Sequence, residues 1–485
     1  MVHRSPRAKL LTRSATQLAA QLCAREVTSR EVVEAHIQHI ERVNPRINAV
    51  VADRFAEARA EAEAADVALA SEDRALPPFH GVPCTIKECF QLTGMPNTAG
   101  LVARRGVIST EDGVTVARMR SAGFIPLGVT NLSELCMWME STNRVYGRSR
   151  NPYDPRRIVG GSSGGEGAII GAGGSPVGLG SDIGGSIRMP AFFNGVFGHK
   201  PSSGLVPSSG QFPVSHTEVG LRLLGTGPLA RRAEDLMPLL RILAGPDGAD
   251  STTQVRTLGD PGAVEMGELE VFSVEGNGFR RVSPTLIAAQ REATAVLQGQ
   301  GARVRTVELP VLRRSLDLWS QMMNVGTDTP FRTMLGNGAP LPLSAFLKFA
   351  IGRSEHTFAA LMLAATEGIP LFNTADVVEL TAQVDAVRDE VHDLLGDRGV
   401  MLFPSYTRPA PRHGLPLLTP LDWVYTAVFN VLQLPVTQVP LGLSKRRAPL
   451  GVQVVAPHGE DHRSIGVAMA LERGFGGWVP PWVVR

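Results

Sequence analysis

Glycine is concentrated in one stretch of the chain, between Gly160 and Ser186. Twelve of the 27 residues in this stretch are glycine, whereas the whole chain carries 51 glycines in 485 residues. Two Gly-Ser turns, Gly160–Gly165 and Asp182–Ser186, lie on either side of a short strand-like run. Glycine adopts backbone conformations that other residues avoid and lets a ligand approach the N–H groups closely. The pattern therefore predicts bare amides and hydroxyls arranged around a developing negative charge, as in an oxyanion hole.

Three known types of glycine-rich loop are alternative interpretations of this stretch. A Walker loop requires Gly-Lys followed by Ser or Thr, and the sequence contains no such tripeptide. A dinucleotide fingerprint requires G-x-G-x-x-G, but the runs that start at Gly171 and Gly178 have Pro176 and Ile183 at the last position. The third pattern, G-x-S-x-G, matches Gly161–Gly165. It would make Ser163 the nucleophile of a hydrolase elbow.

A lysine ends an apolar, β-branched run upstream of the glycine stretch. Gly81–Lys87 is typical of a buried strand with Lys87 at its carboxyl end. One interpretation is that the ammonium group escapes to solvent. If the side chain is held inside instead, desolvation disfavours its charged form. A neutral amine beside the serines could then act as a general base without any histidine.

The residues from Gly160 to Arg188, together with Lys87, resemble the amidase signature family, whose Ser-cisSer-Lys triad hydrolyses amide bonds. The two serines of the pair lie 24 residues apart, as they do in that family. The resemblance implies that Ser186 is the nucleophile and Lys87 the base. It also implies that Ser162 bridges them and follows a cis peptide bond.

The resemblance assigns an oxyanion hole as well. It would consist of four consecutive backbone amides, those of Ile183, Gly184, Gly185 and Ser186. Ser163 then becomes a neighbour of the reacting atoms, and its match to the hydrolase elbow is incidental. Asp182 and Arg188 are expected to hold the loop through charge-assisted hydrogen bonds.

Within the family, the chain is most similar to the fatty acid amide hydrolases of the second type. The matching segments are Phe90–Thr98, Ser133–Trp138, Tyr146–Ser149, Met189–Gly195, Gly198–Pro201, Tyr425–Thr426, Leu434–Gln438 and Phe475–Trp478. The resemblance implies hydrolysis of long-chain fatty acid amides or N-acyl amines through an acyl-enzyme, with no cofactor. The expected substrate-binding residues are Cys136, Met137, Trp138 and Met139.

Two alternatives stay open within the family. The chain could be a short-chain or aryl acylamidase, or the amidase subunit of a tRNA-dependent amidotransferase. The second activity would need a polar, arginine-containing pocket, whereas Cys136–Met139 is apolar. A non-catalytic scaffold of the same fold is disfavoured by the intact set of triad residues.

Strand-like and helical segments alternate along the chain. Helical patterns cover Ser14–Val43, with a capped start at Thr28, Ala56–Ala70 and Val114–Ala122. Strands are predicted at Gly81–Lys87, Ile125–Thr130, Ser175–Gly180, Leu269–Val274, Arg303–Leu309, Val400–Pro404, Pro435–Leu441 and Leu450–Ala456. Such alternation predicts an α/β fold with a mixed, largely parallel sheet that helices cover on both faces. The resemblance makes this the amidase-signature fold.

One large domain is expected over residues 1–485. Its parts would be the N-terminal helices (1–75), the catalytic signature core (76–245), a substrate-channel or cap segment (315–370) and a C-terminal return to the core (396–485). The 315–370 segment carries Met and aromatic residues at helical spacing. They could be ordinary core, or they could form an apolar channel wall with basic residues at a membrane surface.

Composition narrows the range of partners. A net charge of +2 gives no electrostatic argument for nucleic acid, and a small lipid-like amide is the expected ligand. No apolar run near the amino terminus is long enough for a membrane span, and no signal-peptide pattern occurs, so a cytoplasmic protein with peripheral membrane contact is expected.

The four cysteines are expected to be reduced. His458 and His462 are not expected to bind metal, and a homodimer stays open.

Overall fold

The structure is a computed structural model that describes residues 9–71, 75–367 and 376–483. The basic start of the chain and the end of the 315–370 segment, including Pro370, lie outside the described residues.

The described residues form 17 α-helices. They are α1 Ala15–Cys23, α2 Ser29–Ile47, α3 Phe55–Ala70, α4 Val114–Ser121, α5 Gly164–Gly171, α6 Arg188–Phe193, α7 Glu218–Leu223, α8 Leu236–Leu243, α9 Pro284–Gly299, α10 Ser315–Gly326, α11 Phe331–Leu335, α12 Leu343–Ala350, α13 Phe358–Thr366, α14 Val377–Leu395, α15 Leu415–Leu418, α16 Val424–Val431 and α17 Asp461–Phe475.

Thirteen strands alternate with these helices in the described ranges. They are β1 Val50–Asp53, β2 Val82–Lys87, β3 Phe124–Thr130, β4 Thr142–Asn143, β5 Gly147–Arg148, β6 Val177–Asp182, β7 Phe197–Lys200, β8 Gly225–Ala230, β9 Glu270–Ser273, β10 Arg303–Thr306, β11 Gly399–Pro404, β12 Val436–Leu443 and β13 Pro449–Val455.

The amino-terminal helical pattern is divided into two helices. Helix α2 begins after Thr28, whose hydroxyl accepts a hydrogen bond from the Glu31 amide while the Glu31 carboxylate accepts one from the Thr28 amide. This reciprocal arrangement is a capping box, and the predicted start at Thr28 is confirmed. The helix ends at Ile47, where Asn48 adopts a left-handed conformation with φ 48°.

Eleven strands form one sheet in the order β1-β3-β2-β6-β8-β7-β12-β13-β11-β9-β10. Parallel pairs occur in two blocks, β3-β2-β6 and β11-β9-β10. The strands between these blocks, and the edge strand β1, pair antiparallel. The α/β fold with a mixed sheet is confirmed, and its parallel character is confined to the two blocks.

Both faces of the sheet are buried under helices. Along β11, Val400 and Leu402 belong to one apolar core together with residues of α17, whereas Met401 and Phe403 belong to a second core together with residues of α14. Successive side chains of a strand point to opposite faces, so this division places a helix layer on each face. The predicted covering by helices is confirmed.

The first parallel block determines where the site lies. Lys87, Thr130 and Asp182 are the last residues of β2, β3 and β6. The carboxyl ends of parallel strands meet at one edge of a sheet, where loops carry functional groups. The 315–370 segment contributes α10, α11, α12 and α13 in its described part. No helix within the described ranges is long and apolar enough to cross a membrane.

Candidate active site

Lys87 is completely buried at the end of β2. Its Nζ lies 2.7 Å from Oγ of Ser162 and 2.9 Å from Oγ of Ser181. Lysine is rarely buried without a polar partner, and here two hydroxyls accept hydrogen bonds from the amine. The interpretation in which the Lys87 side chain escapes to solvent is therefore wrong. Ser181 was not predicted as a partner of Lys87.

The Gly161–Ser162 peptide bond is cis, as the resemblance implied. Glycine is required at position 161 because a Cβ there would lie 2.2 Å from the carbonyl oxygen of Trp138. The hydroxyl of Ser141 donates a hydrogen bond of 3.2 Å to the carbonyl of Ser162 and accepts one of 3.0 Å from the amide of Gly164. These contacts hold the first glycine turn against its neighbours.

Ser186 is 7% exposed and lies where two cavities meet. The amide of Ser163 donates a 3.2 Å hydrogen bond to the Ser186 carbonyl, which joins the two glycine turns. Ser162 and Ser186 line the same cavity. Within the described part of the chain, no hydrogen bond links their two hydroxyls. Catalytic hydrogen bonds are often long in an enzyme without substrate.

The second glycine turn is held by Asp182. Its Oδ1 accepts a hydrogen bond of 2.6 Å from the Gly185 amide, and its Oδ2 accepts one of 3.0 Å from the Ile187 amide. Arg188 completes a fully buried ion pair, with Nη2 2.9 Å from Oδ1. Burial works to raise the pKa of Asp182, but the charge and hydrogen bonds of Arg188 outweigh it and hold that pKa far below its usual range. The predicted holding role of this pair is confirmed.

Two further contacts orient the backbone of the turn. The indole Nε1 of Trp319 donates a 2.8 Å hydrogen bond to the Ile183 carbonyl, and Oγ1 of Thr426 donates one of 2.6 Å to the Gly184 carbonyl. In a trans peptide the C=O and the following N–H point in opposite directions. Fixing the Ile183 carbonyl therefore fixes the direction of the Gly184 amide. This role of Trp319 was not predicted.

One of the four expected oxyanion donors is hydrogen-bonded within the turn. The amide of Gly185 already donates to Asp182, so it is committed to the turn itself. The amides of Ile183, Gly184 and Ser186 have no hydrogen-bond acceptor among the described residues. Three backbone donors, rather than four, are thus available at this turn.

One of the two cavities, here called the tryptophan cavity, is almost entirely apolar. Its lining includes all four expected substrate-binding residues and three residues of the second glycine turn. Its lining consists of Cys136, Met137, Trp138, Met139, Gly161, Ile183, Gly184, Ser186, Met189, Trp319, Leu363 and Trp423. Trp319 and Trp423 meet edge to face, with ring centroids 4.5 Å apart.

The other cavity, here called the Phe212 cavity, lies on the side of Ser162. Its lining combines the polar groups of the site with apolar side chains from later segments: Leu135, Cys136, Met137, Ser162, Ser181, Ile183, Ser186, Gln211, Phe212, Pro213, Val214, Ser215, Gly220, Leu224, Met323, Gly326, Thr327, Asp328 and Met334. The Phe212–Pro213 peptide bond is cis. Cys136 and Met137 contribute to both cavities.

A buried acid, Glu166, supports the ends of two strands behind the site. Glu166 accepts hydrogen bonds from Oγ1 of Thr85 at 2.7 Å and from Oγ1 of Thr130 at 2.9 Å. Burial raises the pKa of Glu166 to about 8. Thr85 lies two residues before Lys87, hence on the same face of β2. The acid thus braces the strand that carries Lys87.

Ser163 is fully buried and donates a 3.2 Å hydrogen bond to the carbonyl of Ser181. It lines neither cavity, so the geometry does not favour the hydrolase-elbow interpretation. His458 lies near Arg256, and His462 lies 3.5 Å from Glu460. In the described ranges, no group of three His, Cys, Asp or Glu side chains is arranged to hold a metal ion.

Comparison with known proteins places this site in a family. The sequence model of the family described as Amidase matches residues 31–465. Fatty-acid amide hydrolase 2-B of Danio rerio is 46% identical over 494 residues, covering 98% of this chain and 92% of the relative. Fatty-acid amide hydrolase 2 of Homo sapiens is 45% identical over 492 residues, covering 97% of this chain and 91% of the relative.

A solved structure agrees with the sequence matches. The structure of 6-aminohexanoate cyclic dimer hydrolase complexed with substrate superimposes with a TM-score of 0.81 at 28% identity, covering 98% of each chain. Both the sequence and the fold therefore match over nearly the full length, and the matched region includes every residue of the two glycine turns. The chain belongs to the amidase signature family of amide hydrolases.

Proposed function

We propose that this amidase hydrolyses fatty acid amides or N-acyl amines through an acyl-enzyme formed on Ser186. The observation that carries the proposal is the buried contact of 2.7 Å between Lys87 Nζ and Ser162 Oγ, because Ser162 shares the Phe212 cavity with Ser186, which also lines the apolar tryptophan cavity. A nucleophilic serine needs an adjacent base. The Lys87–Ser162 pair can supply one, and among the described residues no histidine lines either cavity.

In this mechanism, protons move along the two serines. Lys87 takes the proton of Ser162 while Ser162 takes that of Ser186, and Oγ of Ser186 attacks the amide carbonyl. The proton then returns through Ser162 to the departing amine, and water hydrolyses the ester by the same route. Ser181 holds the Lys87 amine from a second direction at 2.9 Å, which keeps it aimed at Ser162.

The three unpaired amides of the second glycine turn supply the electrostatic part of the mechanism. Those of Ile183, Gly184 and Ser186 would donate to the oxyanion of the tetrahedral intermediate. Pre-oriented donors of this kind lower the barrier to acyl transfer more than most other catalytic groups do. Asp182, Trp319 and Thr426 act as positioning residues because they fix the backbone that carries these donors.

The positions of the two cavities support a proposed location for each half of the substrate. The leaving amine must receive its proton from Ser162, which lines the Phe212 cavity. The acyl chain then extends into the tryptophan cavity, whose lining carries no charged side chain. This apolar lining and the 45% identity to a fatty-acid amide hydrolase 2 favour a lipid acyl group. They disfavour a glutaminase subunit, which would need a charged pocket.

A series of primary amides of increasing acyl length tests the proposed substrate class. Burial of each methylene contributes about 0.8 kcal/mol, so kcat/KM should rise about fourfold per methylene until the cavity is filled. Trp138→Glu should flatten this rise, because it introduces a charge into the tryptophan cavity. A short anilide should be hydrolysed by this variant at nearly the wild-type rate.

The exposed Val255→Glu variant is the matched control, since Val255 is 82% exposed and lines neither cavity. It should leave the rise intact. A series that is flat or falls from acetamide upward, measured below the micelle threshold, would favour the short-chain or aryl acylamidase.

An exposed apolar patch supports peripheral membrane contact. On α12 and just after it, Leu343 is 83% exposed, Leu347 67% and Ile351 66%. The neighbouring α13 exposes Phe358, while its Leu363 lines the tryptophan cavity. The same pair of helices thus joins the surface to the cavity. We propose that this patch, Leu343–Phe358, rests on a lipid surface.

Leu347→Glu should weaken binding to phosphatidylcholine–phosphatidylserine vesicles by at least about tenfold, because burial of a leucine contributes about 1.5–3 kcal/mol. The exposed Val255→Glu control should bind like wild type in the same flotation assay. Equal binding of both variants would contradict membrane contact at this patch. If light scattering shows dimers that Leu347→Glu dissociates, the patch serves a homodimer instead.

A further inference from the structure

The Cys136 thiol takes no part in the proton transfers or the bond formation of the proposed mechanism. It lines both cavities, and Ser186 lines both as well. The other three thiols differ in exposure, because Cys84 and Cys89 are buried while Cys23 is exposed at the surface. Cys136 is the only described cysteine that lines either cavity. A molecule bound beside Ser186 in either cavity therefore shares that cavity with Cys136.

The backbone holds Cys136 in an unusual conformation. Leu135 has φ 52° and Cys136 has φ 60°, and the left-handed region costs a non-glycine residue about 1 kcal/mol or more. Hydrogen bonds from the Leu135 amide to the Ala99 carbonyl at 2.8 Å and from the Cys136 amide to the Ser133 carbonyl at 2.9 Å hold this turn. The thiol is thus placed by the fold rather than by a flexible loop.

The surroundings of the Cys136 thiol favour its reactive form. The neighbouring Cys89 thiol, acting as a hydrogen-bond donor, lowers the pKa of Cys136; burial opposes this, and the charge of Lys87 lowers the pKa further. The thiolate is the nucleophilic form of cysteine.

We propose that Cys136 is a modification site for apolar α,β-unsaturated carbonyl compounds, which enter through the substrate cavities and stop turnover. The thiolate sulfur bonds to the β carbon, the π pair of the C=C bond moves to the adjacent carbon as an enolate, and that carbon takes up the proton lost by the thiol. Nothing leaves, and no oxidant is required. The new thioether then lies in the cavities that lead to Ser186.

The test uses N-dodecylmaleimide, with N-dodecylsuccinimide as the saturated counterpart that cannot add and a sulfonated maleimide as the charged counterpart. Trypsin releases Cys136 in the peptide Ser121–Arg144, which contains no other cysteine. We expect the dodecyl adduct on this peptide, with loss of activity at the same rate. The succinimide should produce no lasting loss, and the sulfonated reagent should react at least about tenfold more slowly.

Single-residue variants show which cysteine is responsible for the loss of activity. The activity of each treated variant is compared with that of the same variant without reagent. Cys136→Ser should lose activity at least about tenfold more slowly than wild type, whereas Cys23→Ser and Cys89→Ser should still be modified on Ser121–Arg144. Prior reaction of Ser186 with a fluorophosphonate should slow the adduct by filling the shared cavities. Modification confined to Cys23, equal rates for the two maleimides, or a Cys136 adduct that leaves activity intact would each overturn the proposal.

The adduct is read by mass and does not depend on turnover. A protein that forms it but hydrolyses no amide would overturn the proposed function and leave this site standing. A protein that hydrolyses fatty amides but forms no adduct would overturn the Cys136 site and leave the proposed function standing.

Discussion

Replacing Ser186 by alanine should lower kcat for a fatty amide by about 10⁴-fold or more, because removal of a nucleophilic serine leaves only the contribution of the oxyanion hole and substrate binding. The side chain is small and 7% exposed, so the fold should survive its loss. Initial rates of amide release, with circular dichroism of each variant, provide the measurement.

Ser163→Ala is the matched control, since it removes a serine of the other glycine turn. Ser163 lines neither cavity, and its loss removes one hydrogen bond to the Ser181 carbonyl. We expect this variant to keep at least about a tenth of wild-type kcat, since one such bond contributes about 1 kcal/mol. If Ser163→Ala instead lowers kcat far more than Ser186→Ala does, Ser163 is the nucleophile and the hydrolase-elbow interpretation is favoured.

Lys87→Met should lower kcat by about 10²- to 10⁴-fold, the range typical of a lost general base. Methionine fills a similar volume without an amine, so Ser162 and Ser181 lose their nitrogen partner while the apolar packing is kept. KM should change far less than kcat, because Lys87 lines neither cavity. Steady-state kinetics on one fatty amide separates the two parameters.

A second buried lysine provides the control for this substitution. Lys200 is 2% exposed and donates a 2.7 Å hydrogen bond to the Pro201 carbonyl, and it lines neither cavity. Lys200→Met should cost less than about tenfold in kcat if it folds. Near-normal turnover by a folded Lys87→Met would remove lysine from the mechanism.

Much of the fold could be predicted from local patterns. The apolar, β-branched runs at β2, β3, β11 and β13 were assigned within two residues of their observed bounds, since such runs form buried strands. Strands β7 and β8 were missed. Their sequences, Phe197–Lys200 and Gly225–Ala230, carry Gly, Pro, His or Lys in place of a β-branched alternation. Pairing with β6 and with each other imposes strand structure there, which local propensity does not report.

The antiparallel centre of the sheet was missed for the same reason. Without β7 and β8, the remaining strands alternate with helices, and this alternation is typical of parallel sheets. The observed β8 runs antiparallel to β6, with Val177 opposite Ala230. Only the two outer blocks keep the parallel arrangement that the alternation predicts.

The site was predictable where its residues share a turn. The glycine pattern indicated both turns, and the family resemblance supplied Lys87 and the two serines. The Gly185 amide, one of the four predicted oxyanion donors, bonds to Asp182, which turns back to accept it; spacing does not reveal this contact. Trp319 and Ser181 were missed because their partners, the Ile183 carbonyl and Lys87, lie 136 and 94 residues away in sequence.

Trapping the covalent intermediate tests the central claim most directly. The enzyme is mixed with a fatty amide, quenched in acid during turnover and digested with trypsin, which releases Ser162, Ser163 and Ser186 together in Ile158–Arg188. Fragmentation of this peptide then locates the acyl group. The account predicts the acyl mass on Ser186 in wild type and none in Ser186→Ala. Acyl groups on Ser163, or amide hydrolysis that continues in Ser186→Ala, would contradict it.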